Sequence, residues 1–216
     1  MKKISVEGTI FSKIFGEPMY VEDMPSTDTT LTMAQMRENA ILVGNKFSFY
    51  IDLIRRTPFL GERICNLGKL IWGLVGNRII PAAISDTPMN TIAFCGEGRR
   101  QDGGITDGKF AAFIIPPTWL ELVAKDPFMQ CGAVIFTSSQ ARDYYNGHMH
   151  LSDTITRAYA FEAEALHRMQ NAEESWTPNK YQKAVMQKYP QGIDSLPPGL
   201  WYESKPYIDP RPGENI

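Results

Sequence analysis

The feature of this sequence that most constrains its fold is a long uninterrupted helix-forming run, residues 153–170. The run contains neither glycine nor proline, and it is rich in alanine, glutamate, leucine and methionine, which favour the α-helix. Ser152 or Asp153 can cap its start by accepting a backbone N–H. Apolar residues recur at helical spacing, which predicts that one face packs against a core. The members of that face are Leu151, Ile155, Ala158, Tyr159, Ala165, Leu166 and Met169.

All three histidines of the chain lie in or just before this run: His148, His150 and His167. Glu162 lies near the middle of the apolar face, and an ionised carboxylate rarely enters a core without a partner. If Glu162 is buried, its pKa should rise unless a cation or several N–H donors meet it. His148, His150 and Glu162 are therefore the candidate catalytic residues. His148 and His150 are also candidate metal ligands, because imidazole nitrogens commonly bind zinc.

Two arginines in a glycine-rich loop complete the set of candidates. Arg99 and Arg100 lie in the loop 96–108 and are candidate anion-binding residues and candidate partners of Glu162. A catalytic interpretation requires this loop and the segment 147–150 to meet in one cleft. No complete motif identifies a cofactor, which stays unknown.

The opposite face of the long helix carries charge. Glu164 and His167 have half of the Glu-x-x-His spacing found in di-metal carboxylate bundles, but the chain contains no second copy. Glu164 has an arginine four residues later, and Asp153 has Arg157 at the same spacing, a pattern typical of a solvated face. The sequence therefore predicts that this face is exposed.

Composition restricts the class of protein. The 216-residue chain has a formal net charge of −2 at pH 7, so no global positive field attracts nucleic acid or anionic membranes. Its three widely spaced cysteines are typical of a reducing compartment and not of a disulfide framework. No secretory signal is predicted, and the most apolar window, residues 65–84, contains charges and a proline. The sequence predicts a soluble cytoplasmic protein with no membrane span.

The order of apolar patterns predicts a single α+β domain over residues 1–189. Its predicted parts are an extended arm or hairpin at 1–25, a helical hairpin at 31–76, a small central mixed sheet at 78–137 and helices at 152–189, followed by an irregular proline-rich tail at 190–216. Short apolar runs between prolines and glycines predict the strands of the sheet: residues 78–84, 90–95, 109–115 and 133–137. Within the hairpin, a capping-box pattern and an apolar stripe predict a helix over 33–56, and glycines such as Gly68 would allow another backbone to approach the second helix.

Several local patterns resemble catalytic or nucleotide-binding motifs without completing them. The loop at 96–101 begins like G-x-G-x-x-G, but Gln101 replaces the third glycine. The P-loop pattern that follows has Phe110 where serine or threonine must reach magnesium. Cys95 and Cys131 are possible thiol nucleophiles, although free cysteines in apolar runs are more often core residues.

Two classes of function remain open. The first is a non-catalytic structural or interaction protein with a protein partner or homo-oligomeric state, as in a subunit of a phage particle or secretion machine. Its support is the absence of complete motifs, the ten methionines and the low charge. The alternative is a hydrolase-like enzyme, metal-dependent or not, that uses His148, His150 and Glu162. We favour the first class, and a tail that packs on its own domain in a monomer would count against it.

Overall fold

Five α-helices form most of the part of the chain that the computed structural model describes. The described residues are 3–6, 19–22, 33–75, 79–83, 92–95, 111–115, 119, 127–148 and 150–206. The helices are α1 (Met33–Arg56), α2 (Glu62–Leu74), α3 (Pro127–Asn146), α4 (Leu151–Ala172) and α5 (Lys180–Lys188). Two short 3-10 helices span Pro58–Leu60 and Gly192–Ser195.

The helices pack on one another around a shared apolar core. α1 and α2 pair as a hairpin, α2 also packs on α3, and α4 contacts both α3 and α5. The core contains buried side chains from all five helices, including Ile51, Ile71, Val134, Leu166 and Val185. The helical hairpin predicted from the apolar stripes is confirmed, and α1 has the predicted bounds of 33–56.

Five described strands are short, three to five residues each. They are β1 (Lys3–Val6), β2 (Met19–Glu22), β3 (Ile79–Ala83), β4 (Ala93–Cys95) and β5 (Ala111–Ile115). β1 and β2 pair antiparallel. β5 lies between β3, to which it is parallel, and β4, to which it is antiparallel.

The predicted α+β class with a central mixed sheet is wrong, because helices dominate the described chain and build its core. The clearest local error is the run 133–137, predicted as a strand, which lies in the middle of α3. Side chains of α3 are buried on nearly every side, so its sequence has no polar face to reveal a helical period. A short apolar run of this kind is indistinguishable by periodicity from a buried strand.

α1 and α2 approach each other closely at Gly68. A Cβ atom built on Gly68 would lie 2.6 Å from the backbone nitrogen of Arg55 and 2.8 Å from its Cα. The predicted close backbone approach is therefore confirmed at this glycine. Backbone atoms of a packed helix cannot move aside as a flexible side chain can.

We expect Gly68→Ala to lower the free energy of unfolding by about 1–3 kcal/mol, because the added methyl forces the two helices apart. Alanine is otherwise the better helix former, so the clash decides the sign. Urea denaturation measures the change. Asn66→Ala, at an exposed position of the same helix, is the control and should stay within about 0.5 kcal/mol of the wild type. Equal stability of Gly68→Ala and the wild type would contradict the close approach.

A tight turn joins α3 to α4 and fixes where their polar ends meet. Gly147 has a φ of +80°, a left-handed conformation that glycine adopts without strain. The backbone N–H of Gly147 donates to the carbonyl of Tyr144, and that of His148 donates to the carbonyl of Asp143 over 2.8 Å. This pattern is that of a Schellman motif, which ends a helix and reverses the chain. The last turn of α3 therefore lies beside the first turns of α4.

Candidate functional site

The structure does not bring the three candidate catalytic residues together. His150 is exposed over 75% of its side chain, and its Nδ1 lies 3.0 Å from the hydroxyl of Ser152. The His148 ring stacks on the Tyr202 ring with 3.9 Å between centroids. Glu162 lies twelve residues after His150 along α4, which is roughly 18 Å at 1.5 Å per residue. A cleft formed by all three is therefore not seen.

Glu162 is nevertheless an unusual residue. It is only 3% exposed, and burial raises its pKa from 4.5 to about 7. The hydroxyl of Tyr181, on α5, donates a hydrogen bond of 2.9 Å to Glu162 Oε2, which opposes part of that rise. Across the helix pair, Gly132 leaves room for the carboxyl group, since a Cβ there would lie 3.2 Å from Oε1. Glu162 therefore links α4 to α5 through the hydrogen bond from the neutral Tyr181 hydroxyl. No cation among the described residues pairs with it.

The metal hypothesis finds little support in this part of the chain. Among the described residues, no group of three or more His, Cys, Asp or Glu side chains is placed to hold a metal ion. His148 and His150 therefore lack the additional ligands that a zinc site needs within these residues. The half-motif is engaged elsewhere, because Glu164 accepts from Arg168 over 3.1 Å and His167 Nε2 lies 3.2 Å from a backbone carbonyl oxygen.

The remaining candidates have different outcomes. Arg99 and Arg100, with the loop 96–108, lie outside the described residues, as does the side chain of Cys95. Cys131 is fully buried in α3, and burial raises its pKa to about 12. A thiol with that pKa stays protonated near neutral pH and is a poor nucleophile. Cys131 is therefore a core residue, in line with the more frequent role of free cysteines in apolar runs.

The dominant polar feature of the described chain is a buried charge network formed by Arg142, Asp143, Arg157 and Tyr202. Asp143 is inaccessible to solvent; its Oδ2 accepts from Arg157 Nε over 2.7 Å, and its Oδ1 accepts from the Tyr202 hydroxyl over 2.5 Å. Arg142 is 1% exposed and donates to the Ser204 hydroxyl over 2.6 Å and to the Tyr202 carbonyl over 2.8 Å. The network fastens the C-terminal segment to α3 and α4.

The network contains two buried cations and one buried anion. Cation–π contacts with three aromatic rings stabilise one of the two cations. The Arg142 guanidinium lies 4.1 Å from the Tyr202 ring centroid, 4.9 Å from that of Trp201 and 5.1 Å from that of Phe161. Burial still lowers the pKa of Arg142 from its usual value. Its Nη1 is buried without a hydrogen-bond partner in the described structure. It is one of several side-chain polar atoms of the described residues that are buried in this way.

The prediction that Arg157 belongs to a solvated face is wrong. Arg157 is buried and pairs with Asp143 on α3, not with Asp153 four residues earlier. The pattern of opposite charges along one helix cannot reveal a partner on another helix. Glu164 and Arg168 do form the pair that their spacing predicts.

Beside the network lies an open cleft between α2 and the C-terminal segment, which we call the C-terminal cleft. It has a volume of about 410 Å³. Its charged lining consists of Arg63, Lys69, Arg142, Glu203 and Lys205, and Trp201 adds an aromatic wall. The lining thus holds four cations and one anion. Arg63 is already bound to Asp194 over 2.6 Å, and the Arg142 Nη1 atom, which has no hydrogen-bond partner, is itself buried.

Sequence reasoning missed this cleft because its residues come from four separate parts of the chain. Arg142 and Asp143 look like ordinary surface charges near a helix end. One signal was present in the C-terminal tail, where Trp201 and Tyr202 stand together among prolines. Adjacent large aromatic residues in a proline-rich tail indicate anchoring, because exposing both to water is unfavourable.

Comparisons with known proteins identify no relative of this chain. No family model, curated protein or solved structure matches this chain. Within the described residues, none of the helices combines the length and the apolar character needed to cross a membrane.

Proposed function

We propose that the chain is a non-catalytic binding protein and that the C-terminal cleft holds an anionic ligand. The observation that carries this proposal is the charge of the cleft lining, which holds Arg63, Lys69, Arg142 and Lys205 against the single carboxylate of Glu203. Lys69 and Lys205 at the rim would draw the anion in.

This proposal retains the non-catalytic class and gives less weight to the enzyme alternative. In that alternative His148, His150 and Glu162 would act together, whereas His150 is exposed and Glu162 lies far along α4. Membership of a phage particle or secretion machine stays a prediction. Residues 200–205 pack on α3 and α4 of their own chain, so this part of the tail is not free to embrace a neighbour.

The cleft is tested by NMR titration of ¹⁵N-labelled protein with sodium phosphate, with the indole N–H of Trp201 as reporter. We expect a saturable shift of that signal, which is assigned by its loss in Trp201→Phe. The double variant Lys69→Gln/Lys205→Gln should weaken binding about fivefold, since exposed charges contribute up to about 1 kcal/mol each. Both lysines are exposed, so the fold should persist.

Lys183→Gln is the matched control, because Lys183 is an exposed lysine on α5 outside the cleft. It should bind phosphate as the wild type does. Absence of a saturable shift in the wild type would overturn the proposal. The same affinity in the double variant and in the control would overturn the cleft as the site.

A further inference from the structure

The helix α5 is the shortest α-helix of the described chain and buries little of its own surface. Only three of its nine residues are buried, namely Gln182, Val185 and Met186. An isolated helix of this length is not stable in water, so α5 depends on its contacts with α4. A helix held in this way can open locally while the rest of the protein stays folded.

The chain is anchored on both sides of α5. Before the helix, the centroid of the Trp176 ring lies 4.8 Å from that of the Phe128 ring on α3. After the helix, the side chains of Tyr189 and Ile193 are buried in the core. These anchors restrict a local opening to the segment between them, which is α5.

Glu162 lies where α3, α4 and α5 meet. On the side of α3, a Cβ built on Gly132 would lie 3.2 Å from Glu162 Oε1. On the side of α5, the Tyr181 hydroxyl donates to Glu162 Oε2 over 2.9 Å. Tyr181 is itself 43% exposed, so it lies at the outer edge of the contact between the two helices. Movement of α5 away from α4 would therefore open the Glu162 carboxyl group to water.

The titratable groups around Glu162 carry no charge that would stabilise its ionised form. From α5 the facing group is Tyr181, and on α3 the residue beside Gly132 is Cys131, whose thiol burial keeps protonated. On α4 itself, Tyr159 lies about one turn earlier, and tyrosine is neutral near pH 7. Burial raises the pKa of Glu162 from 4.5 to about 7. The docked state thus keeps its proton at pH values where a hydrated carboxyl group has lost it.

We propose that Glu162 is a proton-controlled latch for α5. The protonated carboxyl group stays buried under a docked α5, whereas its ionisation favours an open state in which water hydrates the carboxylate. Glu162 binds its proton more tightly in the docked state, so docking is strongest below the pKa of the hydrated group and weakens as pH rises through the docked pKa. The latch uses no residue that lines the C-terminal cleft, so it is independent of anion binding.

Hydrogen exchange of backbone amides in the full chain, measured by ¹⁵N NMR at pH 6 and pH 8, tests the latch. Division by the exchange rates of an unstructured chain gives an opening constant at each pH. For amides of α5, such as that of Val185, we expect this constant to rise about tenfold between the two pH values. Amides in the middle of α3, such as that of Ile135, report global unfolding and should have much smaller opening constants at both.

Two variants separate Glu162 from the other titratable residue of α4 that contacts the end of α5. Glu162→Gln cannot ionise, so the opening constant of α5 should be the same at pH 6 and pH 8. His167 Nε2 lies 3.2 Å from the Tyr189 carbonyl oxygen, and protonation of this ring could also favour docking at low pH. We therefore expect His167→Gln to retain the tenfold rise.

Three results would overturn the latch. The first is an opening constant of α5 that does not change with pH in the wild type. The second is a rise that persists in Glu162→Gln or disappears in His167→Gln. The third is the same opening constant for α5 and α3, because α5 would then open only when the whole chain unfolds.

Discussion

Replacing Asp143 with alanine is expected to lower the free energy of unfolding by about 3–5 kcal/mol, the cost typical of removing one partner of a buried ion pair. The change would leave Arg157 buried without its carboxylate and would remove the acceptor of the Tyr202 hydroxyl. Arg142, already short of partners, lies beside them. Urea denaturation followed by circular dichroism measures the loss.

Asp194→Ala is the matched control for this prediction. Asp194 pairs with Arg63 over 2.6 Å, close to the 2.7 Å between Asp143 and Arg157, but both of its groups are exposed. Its removal should cost at most about 1 kcal/mol. Chymotrypsin cleavage after Trp201 or Tyr202 should accelerate in Asp143→Ala and not in the control. Equal losses of stability in the two variants would refute the role of burial in this network.

Glu162→Gln is expected to make the protein more stable above neutral pH and to leave it nearly unchanged near pH 4.5. Burial raises the pKa of Glu162 from 4.5 to about 7, so the folded chain binds more protons than the unfolded chain between these pH values. The contribution of Glu162 to stability is therefore fully present below pH 4.5 and is lost as pH rises through about 7. The shift corresponds to about 3 kcal/mol in total.

Glutamine has the shape of glutamate without its charge, so the variant lacks this loss. At pH 8 the free energy of unfolding of the variant should exceed that of the wild type by up to about 3 kcal/mol. Urea denaturation between pH 4 and pH 8.5 gives both profiles, and other titrating groups cancel in the difference. Glu174→Gln changes an exposed glutamate, and its profile of unfolding free energy against pH should run parallel to that of the wild type. Parallel profiles for Glu162→Gln would contradict a buried, proton-binding Glu162.

Some of this architecture follows from the sequence, and the residues show why. Four of the helices, α1, α2, α4 and α5, have an apolar stripe and a polar face. The helical period can therefore be recognised in their sequences. Glu162 could be marked as unusual because it interrupts such a stripe. α3 has no polar face, because it packs on α2 and α4 and carries the buried network as well. The pattern of its central run, residues 133–137, therefore predicts a strand where the structure has a helix.

The candidate site was harder to predict than the helices. Glu162 was identified correctly as a residue on the apolar face, but its partner Tyr181 lies on another helix and is not indicated by any spacing. Arg142 bonds to Tyr202 and Ser204, about sixty positions later, and Asp143 bonds to Tyr202 as well as to Arg157 on α4. Pairings at that separation depend on the fold, and a single sequence contains no local signal for them.

The separation between these partners also affects how the protein is made. During synthesis, Arg142, Asp143 and Arg157 are added to the chain long before the segment from Leu200 to Ser204 exists. Asp143 and Arg157 can meet at that stage, but Arg142 has neither the Ser204 hydroxyl nor the Tyr202 carbonyl to accept its hydrogen bonds. The helix pair acquires its last partners only when translation has passed residue 204. A chain interrupted before Leu200 would therefore lack the Ser204 and Tyr202 acceptors of the Arg142 guanidinium and keep only the Phe161 ring beside it.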